Sequence, residues 1–240
     1  MPAMEKFQAF LEEILAIEIT ALQMNAFMAY ENLLLVWNEK FNLTAITDLE
    51  EIRIKHFLDS LICLKIINKK ENLSLIDIGT GAGFPGIPLK IMMPEIKLTL
   101  VESSQKKAGF CKTVVEALNL EDTTVIAARA EDLGKDPQFR EKFDWAVARA
   151  EAELPVLVEY LLPFVKVGGK ALAMKGADSK NETRKANQAI AVLGGEIAKK
   201  VRLNLPEGYG ERTLIVLNKV SATPDAYPRR AGMPSKKPIS

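Results

Sequence analysis

The segment Leu75-Ile76-Asp77-Ile78-Gly79-Thr80-Gly81-Ala82-Gly83-Phe84-Pro85-Gly86-Ile87-Pro88-Leu89 decides the fold. A short apolar run carries an aspartate near its end, glycines follow at every second position, and an apolar stretch then resumes with helical spacing. This order predicts a strand, a glycine-rich turn and the start of a helix. Glycine is required where the backbone takes a positive φ or touches a ligand, because a Cβ atom would block the approach. The turn is therefore predicted to be a ligand-binding loop.

Two kinds of ligand fit this loop. Residues 81–86 match the G-x-G-x-x-G pattern of dinucleotide-binding proteins, and Glu102 follows about 20 residues later, as such a site requires. The loop also resembles the S-adenosylmethionine (SAM) loop of class I methyltransferases, whose residues here would be Asp77, Gly79, Gly81 and Gly83. SAM carries an ammonium and a sulfonium group but no pyrophosphate, so a nearby carboxylate suits SAM and would repel a dinucleotide. We favour a methyltransferase over a dehydrogenase, and a tight turn without a ligand remains the third alternative.

Length and composition predict one α/β domain with an additional helical segment. The chain has 240 residues, of which 48% are hydrophobic and 26% are charged, and this composition can bury a sizeable core. Residues 1–48 are expected to form an N-terminal helical cap, because apolar residues recur there at helical spacing. Residues 49–220 are expected to form the SAM-binding core, and residues 221–240 a basic, proline-rich tail.

Several features argue for an ordinary cytoplasmic enzyme without a metal. No apolar run approaches the ~18 residues of a membrane span, and the first residues lack the pattern of a signal peptide. Cys63 and Cys111 are far apart in apolar surroundings, so we interpret them as buried thiols. His56 is the single histidine, and a structural role is favoured over a ligand role for it. We expect no metal site.

Thr47 or Asp48 is expected to cap a helix that runs to about Ile67. After it, we expect strands at 74–78, 97–102, 124–127, 143–148 and 170–174, and helices at 87–92, 105–118, 154–164 and 179–193. This alternation predicts a doubly wound, mostly parallel sheet. The last two predicted strands, 197–203 and 213–218, have no helix between them and should pair antiparallel. A parallel sheet that ends in an antiparallel pair resembles the class I SAM-dependent methyltransferase fold more than the plain dinucleotide-binding fold. This is a second argument for a methyltransferase, independent of the loop.

The candidate site lies at the carboxyl ends of the strands, because open α/β sheets bind ligands there. The residues that follow the first four strands are Gly79 to Gly83 and Phe84, then Glu102, Ser103 and Ser104, then Arg129, Ala130, Glu131 and Asp132, and then Arg149. Glu102 has the carboxylate needed to accept hydrogen bonds from two ribose hydroxyls, and Ala130 with Glu131 could meet an adenine edge.

With these positions assigned, the sequence is similar over nearly its full length to one family, the bacterial 16S ribosomal RNA guanine-N7 methyltransferases, first named glucose-inhibited division protein B. The matching motifs occur in order along the chain. They are Trp37-Asn38, residues 42–46, His56, Asp59-Ser60-Leu61, residues 79–88, Arg129-Ala130-Glu131, Ala148-Arg149-Ala150, Lys175-Gly176, and Tyr227-Pro228-Arg229-Arg230 with Gly232, Pro234 and Lys237-Pro238.

The resemblance implies the fold, the cofactor, the substrate and the site. The cofactor would be SAM, held by Gly79, Phe84, Glu102 to Ser104, Ala130, Glu131 and Arg149. The product would be a methylated guanine in the 16S RNA of the small ribosomal subunit. We expect a monomer without a stable protein partner.

The residues after the fourth strand agree with methylation at guanine N7. Exocyclic amines are commonly methylated by an Asn/Asp-Pro-Pro-aromatic motif at this place, and pyrimidine C5 methylation needs a cysteine nucleophile. Here the strand ends in Ala148-Arg149-Ala150, and neither cysteine follows a strand. Guanine N7 offers a lone pair at neutral pH, so its methylation needs alignment and no general base. Arg149 is the candidate catalytic residue, with a purely positional role.

The tail carries four cations that could bind RNA, Arg229, Arg230, Lys236 and Lys237. Four prolines stiffen it, and we do not expect it to form a helix. Clustered cations bind phosphates even in a chain whose net charge is only +1. Three hypotheses remain open: an RNA methyltransferase, a methyltransferase for a small molecule or protein, and a non-catalytic SAM- or RNA-binding protein.

Overall fold

A seven-stranded mixed sheet forms the centre of the molecule. A computed structural model describes residues 2–67, 72–150, 152–177 and 180–239. The strand order is β3-β2-β1-β4-β5-β7-β6, and only β7 runs antiparallel to its neighbours. The strands are β1 (Ser74–Ile78), β2 (Lys97–Glu102), β3 (Thr123–Ala127), β4 (Phe143–Arg149), β5 (Val165–Lys175), β6 (Gly195–Asn204) and β7 (Glu211–Lys219).

Helices cover both faces of this sheet. They are α1 (Pro2–Leu15), α2 (Ala21–Phe41), α3 (Leu49–Glu51), α4 (Asp59–Leu61), α5 (Gly86–Met92), α6 (Gln105–Ala117), α7 (Ala130–Leu133), α8 (Leu154–Leu161), α9 (Lys180–Val192) and α10 (Met233–Lys236). In the described part of the chain, short 3₁₀ or π segments also occur at Ile52–Leu58, Ile62–Lys65, Leu162–Phe164 and Pro206–Gly208.

The predicted parallel sheet with a final antiparallel pair is confirmed. The two faces of the sheet alternate along each strand, since successive side chains point to opposite sides. On β4, for example, Val147 joins the core that contains α2, α5 and α6, whereas Ala146 and Ala148 join the core under α8 and α9. The central strands β1 and β4 are buried on both faces and are mostly apolar, as expected for a parallel sheet covered by helices. The edge strand β6 instead carries exposed charged residues.

The helix predicted from Asp48 to about Ile67 is α-helical only at Leu49–Glu51 and Asp59–Leu61. Asp48 caps it as expected, its carboxylate accepting the Glu51 N–H at 2.9 Å. The middle, Ile52–Leu58, is a π-helix, a form that is rare and is often found at functional sites. Sequence patterns did not predict this segment. Ser179, where we expected α9 to begin, lies outside the described residues.

The predicted N-terminal cap shares its core with the sheet. Phe7, Phe27 and Tyr30 of α1 and α2 are buried in the same cluster as β1 and β2. A buried ion pair joins Arg53 to Glu31, in which Nε donates to Oε2 at 2.6 Å and Nη2 donates to Oε1 at 2.8 Å. The two-pronged geometry fixes α2 against the π-helix.

The C-terminal segment, residues 221–239, is folded onto the core. Arg140 donates to the carbonyls of Thr223 (2.6 Å) and Tyr227 (2.7 Å), and the buried Ile239 joins the core under α8. Our expectation that this segment forms no helix is wrong, because Met233–Lys236 make one turn. Pro234 is compatible with it because proline suits the first turn of a helix, where no N–H is needed.

Candidate active site

The glycine-rich loop adopts a conformation that its sequence requires. Gly79 and Gly81 have φ of 68° and 61°, a left-handed region that favours glycine. The N–H groups of Gly79 and Thr80 donate to the Val101 carbonyl at the end of β2, at 2.9 and 3.1 Å. From the other side the Tyr30 hydroxyl of α2 donates to the Ala82 carbonyl. The loop is therefore held between the sheet and the N-terminal helices.

Asp77 lies beneath the loop and not in the cavity. Its carboxylate is fully buried, and Oδ2 accepts the Thr80 hydroxyl at 2.6 Å and the Gly86 N–H at 2.8 Å. Burial raises the pKa of this carboxyl to about 7. From the sequence we expected the Asp77 carboxylate to suit the ammonium group of SAM. In the structure Asp77 instead shapes the loop from below. Gly83 has a similar role, since a Cβ there would meet Ile87 and the Tyr30 hydroxyl.

Glu102 ties the end of β2 to the loop. Its Oε2 accepts the Gly81 N–H at 2.9 Å, and Oε1 accepts the Ser104 N–H at 2.8 Å. The carboxylate is 8% exposed and stands at the strand end, as the sequence predicts. Each carboxylate oxygen has a further lone pair, so both can accept a ligand hydroxyl in addition to these bonds.

Three neighbouring cavities line the carboxyl edge of the sheet. A cavity of ≈ 160 Å³ lies over the loop and Phe84, and one of ≈ 180 Å³ lies between Ser103, Ala130 and α8. The largest, ≈ 570 Å³, opens beside β4, β5 and β7. Gly79 borders the first two cavities, Ala150 borders the second and third, and His56 and Arg149 border the first and third. Together they form one cleft, which we call the strand-end cleft.

Arg149 is fixed at the junction of the small loop cavity and the large cavity. Its Nη1 donates to the Lys55 carbonyl at 2.8 Å and forms an ion pair with Asp59 at 3.3 Å. The guanidinium also lies 4.9 Å from the centroid of the Phe84 ring, a cation–π geometry. At the end of the π-helix, the Asp59 N–H donates to the Ile54 and His56 carbonyls. The Lys55 carbonyl accepts its hydrogen bond from Arg149.

His56 is a neutral component of the same junction. Its ring stacks on Phe84 with centroids 4.6 Å apart, and Nδ1 lies 3.3 Å from Arg149 Nη2. Because a guanidinium only donates, Nδ1 must accept, so the proton is on Nε2, which faces the Thr44 hydroxyl at 2.9 Å. Burial and then the Arg149 charge lower the pKa of His56 to about 3. The single histidine therefore borders the site, although a structural role was favoured for it.

The large cavity holds charged residues that the strand-end argument did not select. Asp59 bridges two arginines, accepting Arg212 Nε at 2.8 Å on the oxygen that Arg149 does not use. Lys175 pairs with Glu182 at 3.0 Å and donates to the Ala152 carbonyl at 2.7 Å. Arg212 could have been found from the sequence, because the first residues of an antiparallel strand lie at the carboxyl edge of its parallel neighbour.

The C-terminal segment contacts two residues that line the ≈ 180 Å³ cavity. The carboxylate of Glu131 accepts the Gly232 N–H at 2.8 Å, and the Tyr160 hydroxyl bonds Ser235 at 3.0 Å. Both Glu131 and Tyr160 line the cavity. The expected neighbours Ser103 and Ala130 line it as well, so the structure brings the predicted ends of β2 and β3 together.

The four C-terminal cations divide into two groups. Arg229 is committed to the fully buried Glu159, with Nη2–Oε2 at 2.6 Å and Nε–Oε1 at 3.0 Å, and it also donates to the Lys237 carbonyl at 2.7 Å. Arg230, Lys236 and Lys237 are exposed. Three of the four predicted RNA-binding side chains thus face solvent, and the fourth anchors the segment.

The cleft fits a ligand that approaches the backbone of the loop. A Cβ atom added at Gly79 or Gly81 would meet no protein atom within 4 Å, so the space above these residues is free for a bound group. Carboxylates and hydroxyls at the ends of β2 and β3 supply hydrogen-bond partners for a ribose and an adenine. Among the described residues, no group of His, Cys, Asp and Glu side chains could hold a metal ion, and no helix could span a membrane.

The fold is that of known methyltransferases. A SAM dependent methyltransferase from Aquifex aeolicus superposes with a TM-score of 0.53 at 15% identity, and the match covers 72% of this chain and 94% of that one. Identity at this level shows the fold alone. The similarity supports the class I SAM-dependent methyltransferase fold that the sequence predicts.

Sequence relatives identify the family. The chain is 50% identical over 217 residues to a ribosomal RNA small subunit methyltransferase G from Alkaliphilus metalliredigens, covering 90% of this chain and 91% of the relative. A protein of the same name from Acetivibrio thermocellus is 51% identical over 218 residues, covering 91% and 89%. The family model described as rRNA small subunit methyltransferase G matches residues 23–208. The chain therefore belongs to the rRNA small subunit methyltransferase G family, also called GidB.

Proposed function

We propose that this enzyme transfers the methyl group of SAM to N7 of a guanine in the 16S RNA of the small ribosomal subunit. The single observation that carries the proposal is the continuous strand-end cleft, in which a loop cavity suited to SAM adjoins a ≈ 570 Å³ cavity large enough for a purine base. The family membership and the ordered motifs of the sequence support the choice of RNA over a small molecule or a protein.

The residues that would hold SAM follow the strand ends. Gly79 and Gly81 leave room for the amino-acid part of SAM, and Phe84 with His56 forms the floor of that cavity. Glu102 accepts the ribose hydroxyls, while Ala130 and Glu131 contact the adenine edge. Asp77, beneath the loop, contributes by setting the loop conformation. When bound, SAM supplies an electrophilic methyl group on its sulfonium.

The protein aligns the acceptor base and need not remove a proton from it. Guanine N7 has a free lone pair, so attack on the methyl group requires orientation at about 3–3.5 Å and exclusion of water. Arg149 has the position for this, since one N–H of Nη2 faces His56 and the second is left for an acceptor such as guanine O6. Asp59, shared by Arg149 and Arg212, offsets cationic charge beside a base that becomes positive.

The exposed cations of the C-terminal segment are proposed to contact the RNA backbone. The exposed cations Arg230, Lys236 and Lys237 would contact phosphates, while Arg229 holds their segment in place. Each phosphate contact contributes close to one unit to the slope of binding against salt. We propose that the enzyme works as a monomer in the cytoplasm. We also keep the division into a cap, residues 1–48, a core, 49–220, and a tail, 221–240, as a proposal.

A methyl-transfer assay tests the proposed function. The purified enzyme is incubated with SAM labelled with tritium in the methyl group and with small ribosomal subunits or 16S RNA from a strain that lacks the enzyme. We expect about one methyl group per RNA molecule, and none with subunits from the parent strain, whose site is already methylated. Equal incorporation into the two preparations, or incorporation into protein, would contradict the proposal.

A matched pair of variants tests, in the same assay, whether Arg149 orients the reactants or only binds SAM. Arg149→Lys keeps the charge but loses the planar geometry that reaches Lys55, Asp59 and His56 together. It should lower the rate of transfer roughly 10- to 100-fold, the effect of losing orientation, with a smaller change in SAM affinity. Lys170→Arg is the control, because Lys170 lies in the middle of β5 and borders none of the three cavities of the cleft. Its rate should match that of the wild type.

A further inference from the structure

A second aromatic surface lies outside the cleft, where α2 ends and α6 begins. It consists of Lys40, Phe41 and Lys106, which we call the rim patch. Phe41 is 39% exposed, and both lysines are exposed. The ammonium of Lys106 lies 5.7 Å from the centroid of the Phe41 ring, so cations flank an exposed aromatic ring.

The rim patch is joined to the cleft by short, ordered connections. Asn42 takes a left-handed conformation with φ 49°, and the Thr44 N–H donates to the Asn38 side chain at 2.9 Å. These contacts fix the turn that leads from Phe41 to Thr44, whose hydroxyl bonds His56 at the active-site junction. On the other side, Lys106 lies two residues after Ser104, which follows the ligand-facing end of β2.

Phe41 is supported from behind by a row of aromatic rings. Its ring lies 5.2 Å from Trp37, Trp37 lies 5.6 Å from Phe110, and Phe110 lies 6.2 Å from Tyr30. Tyr30 in turn stacks at 5.4 Å against Phe84 beneath Arg149. The exposed ring is thus the solvent-facing end of a packed series, which restricts its orientation before any partner arrives.

We propose that the rim patch binds an unpaired nucleotide of the RNA substrate adjacent to the target guanine, with its base stacked on Phe41 and its phosphates near Lys40 and Lys106. The inference rests on the proposed function. Unpaired bases in RNA are recognised by stacking on aromatic side chains, and every base has a face that can stack. Cations beside the ring reach the phosphate of a stacked base.

The charge around the patch favours RNA over a protein partner. Lys107 adds a third, half-buried ammonium on α6, and Glu39 is the neighbouring exposed acid on α2. The local surface is therefore net positive beside an aromatic ring, the combination found in grooves that bind single strands. A protein partner would instead require a larger apolar surface around Phe41.

The test measures binding to 16S RNA and to small subunits from the strain lacking the enzyme, together with the KM for both in the methyl-transfer assay. Phe41→Ala should weaken binding about 5- to 150-fold, the range for loss of one stacked base. Phe41→Trp should retain binding, whereas Phe41→Leu should lose it despite its apolar side chain. Lys106→Ala should lower the salt slope by about one.

Two control variants make equivalent substitutions at surface positions far from the rim patch. Leu22→Ala removes an 82% exposed apolar side chain near the other end of α2, about 28 Å away, and should leave binding unchanged. Lys199→Ala removes an exposed cation from β6, the opposite edge of the sheet from β3, and should leave the salt slope unchanged. SAM affinity, measured by calorimetry, should be normal in all variants.

The outcomes separate this inference from the proposed function. If the wild type methylates 16S RNA and Phe41→Ala binds RNA as tightly as Leu22→Ala, the inference is overturned and the function stands. A loss seen with subunits but not with naked RNA would assign the patch to a ribosomal protein and would also overturn it. If the wild type methylates neither RNA preparation, the proposed function fails and the inference fails with it.

Discussion

At the scale of single residues, Asp77 is a buried acid that shapes the glycine-rich loop and lines none of the three cavities of the cleft. Its carboxylate sits under the loop with one oxygen, Oδ1, that has no hydrogen-bond partner. Burial raises its pKa from 3.8 to about 7. Between these pH values the folded protein keeps a proton that the unfolded chain releases, so the free energy of unfolding falls as pH rises.

Asp77→Asn should remove this pH dependence. Relative to the wild type, the free energy of unfolding of the variant should rise by roughly 4 kcal/mol between pH 4 and pH 8, since each pKa unit is worth about 1.4 kcal/mol. Urea unfolding at several pH values measures the difference. The pKa of His56 is lowered to about 3, so its contribution to the free energy of unfolding rises with pH. This contribution is the same in the wild type and the variant, and it cancels in the difference between them. A difference that stays constant with pH would show that Asp77 ionises freely in the fold.

Gly81→Val tests the loop as the SAM site. The side chain would enter the space above the loop that no protein atom occupies, so SAM affinity should fall at least 100-fold by calorimetry. Valine is also strained at a φ of 61°, and Gly168→Val is the control for that strain. Gly168 has a φ of 86° and equally open space but lies in β5, outside the cleft. Similar SAM affinity in the two variants would contradict the assignment.

The strand-end rule predicted most of the residues that border the cleft, because carboxyl ends of parallel strands meet at one edge. Glu102, Ala130, Glu131 and Arg149 all lie there. Asp77 was assigned to the ligand from the loop motif and not from this rule, and the motif could not give the depth of its side chain. The strand-end rule omitted Asp59 and Arg212, since their proximity to Arg149 depends on the path of a helix and of an antiparallel strand.

At the scale of secondary-structure elements, the ion pair between Arg229 and the buried Glu159 is one of the contacts that hold the C-terminal segment. Arg229→Ala would leave the carboxylate of Glu159, which is fully buried, without its cation. Loss of one partner from a buried pair costs about 3–5 kcal/mol, and we expect the free energy of unfolding to fall by that amount. Arg230→Ala is the control, because Arg230 is exposed and such changes cost under about 0.5 kcal/mol. Equal stability of the two variants would show that the segment is not anchored there.

The sequence predicted strands more completely than irregular helices. Apolar runs bounded by glycine and charged residues fix β1 and β2 to the residue, since both faces of the sheet are buried. The π-helix at Ile52–Leu58 leaves no such pattern, because its apolar positions also suit an α-helix. The turn of α10 was missed because prolines were taken to exclude a helix, whereas Pro234 occupies its first turn.

At the scale of the whole molecule, the strand-end cleft uses every part of the chain. The N-terminal helices support the loop through Tyr30, the sheet supplies Glu102 and Arg149, and the C-terminal segment contacts Glu131 through the Gly232 N–H. We propose that SAM and a base occupy separate spaces of this single cleft, which makes direct transfer between them possible. The central claim is that this transfer ends at guanine N7, and not at an exocyclic amine, a ribose hydroxyl or a pyrimidine carbon.

Chemical cleavage of the RNA tests that claim most directly. A methyl group at N7 leaves a fixed positive charge on the purine, which makes the strand cleavable by aniline after borohydride reduction. We predict one cleavage site in 16S RNA that is absent from a strain lacking the enzyme and returns when its subunits are treated with the purified protein and SAM. Incorporation of the methyl group without any aniline-cleavable site would contradict the account.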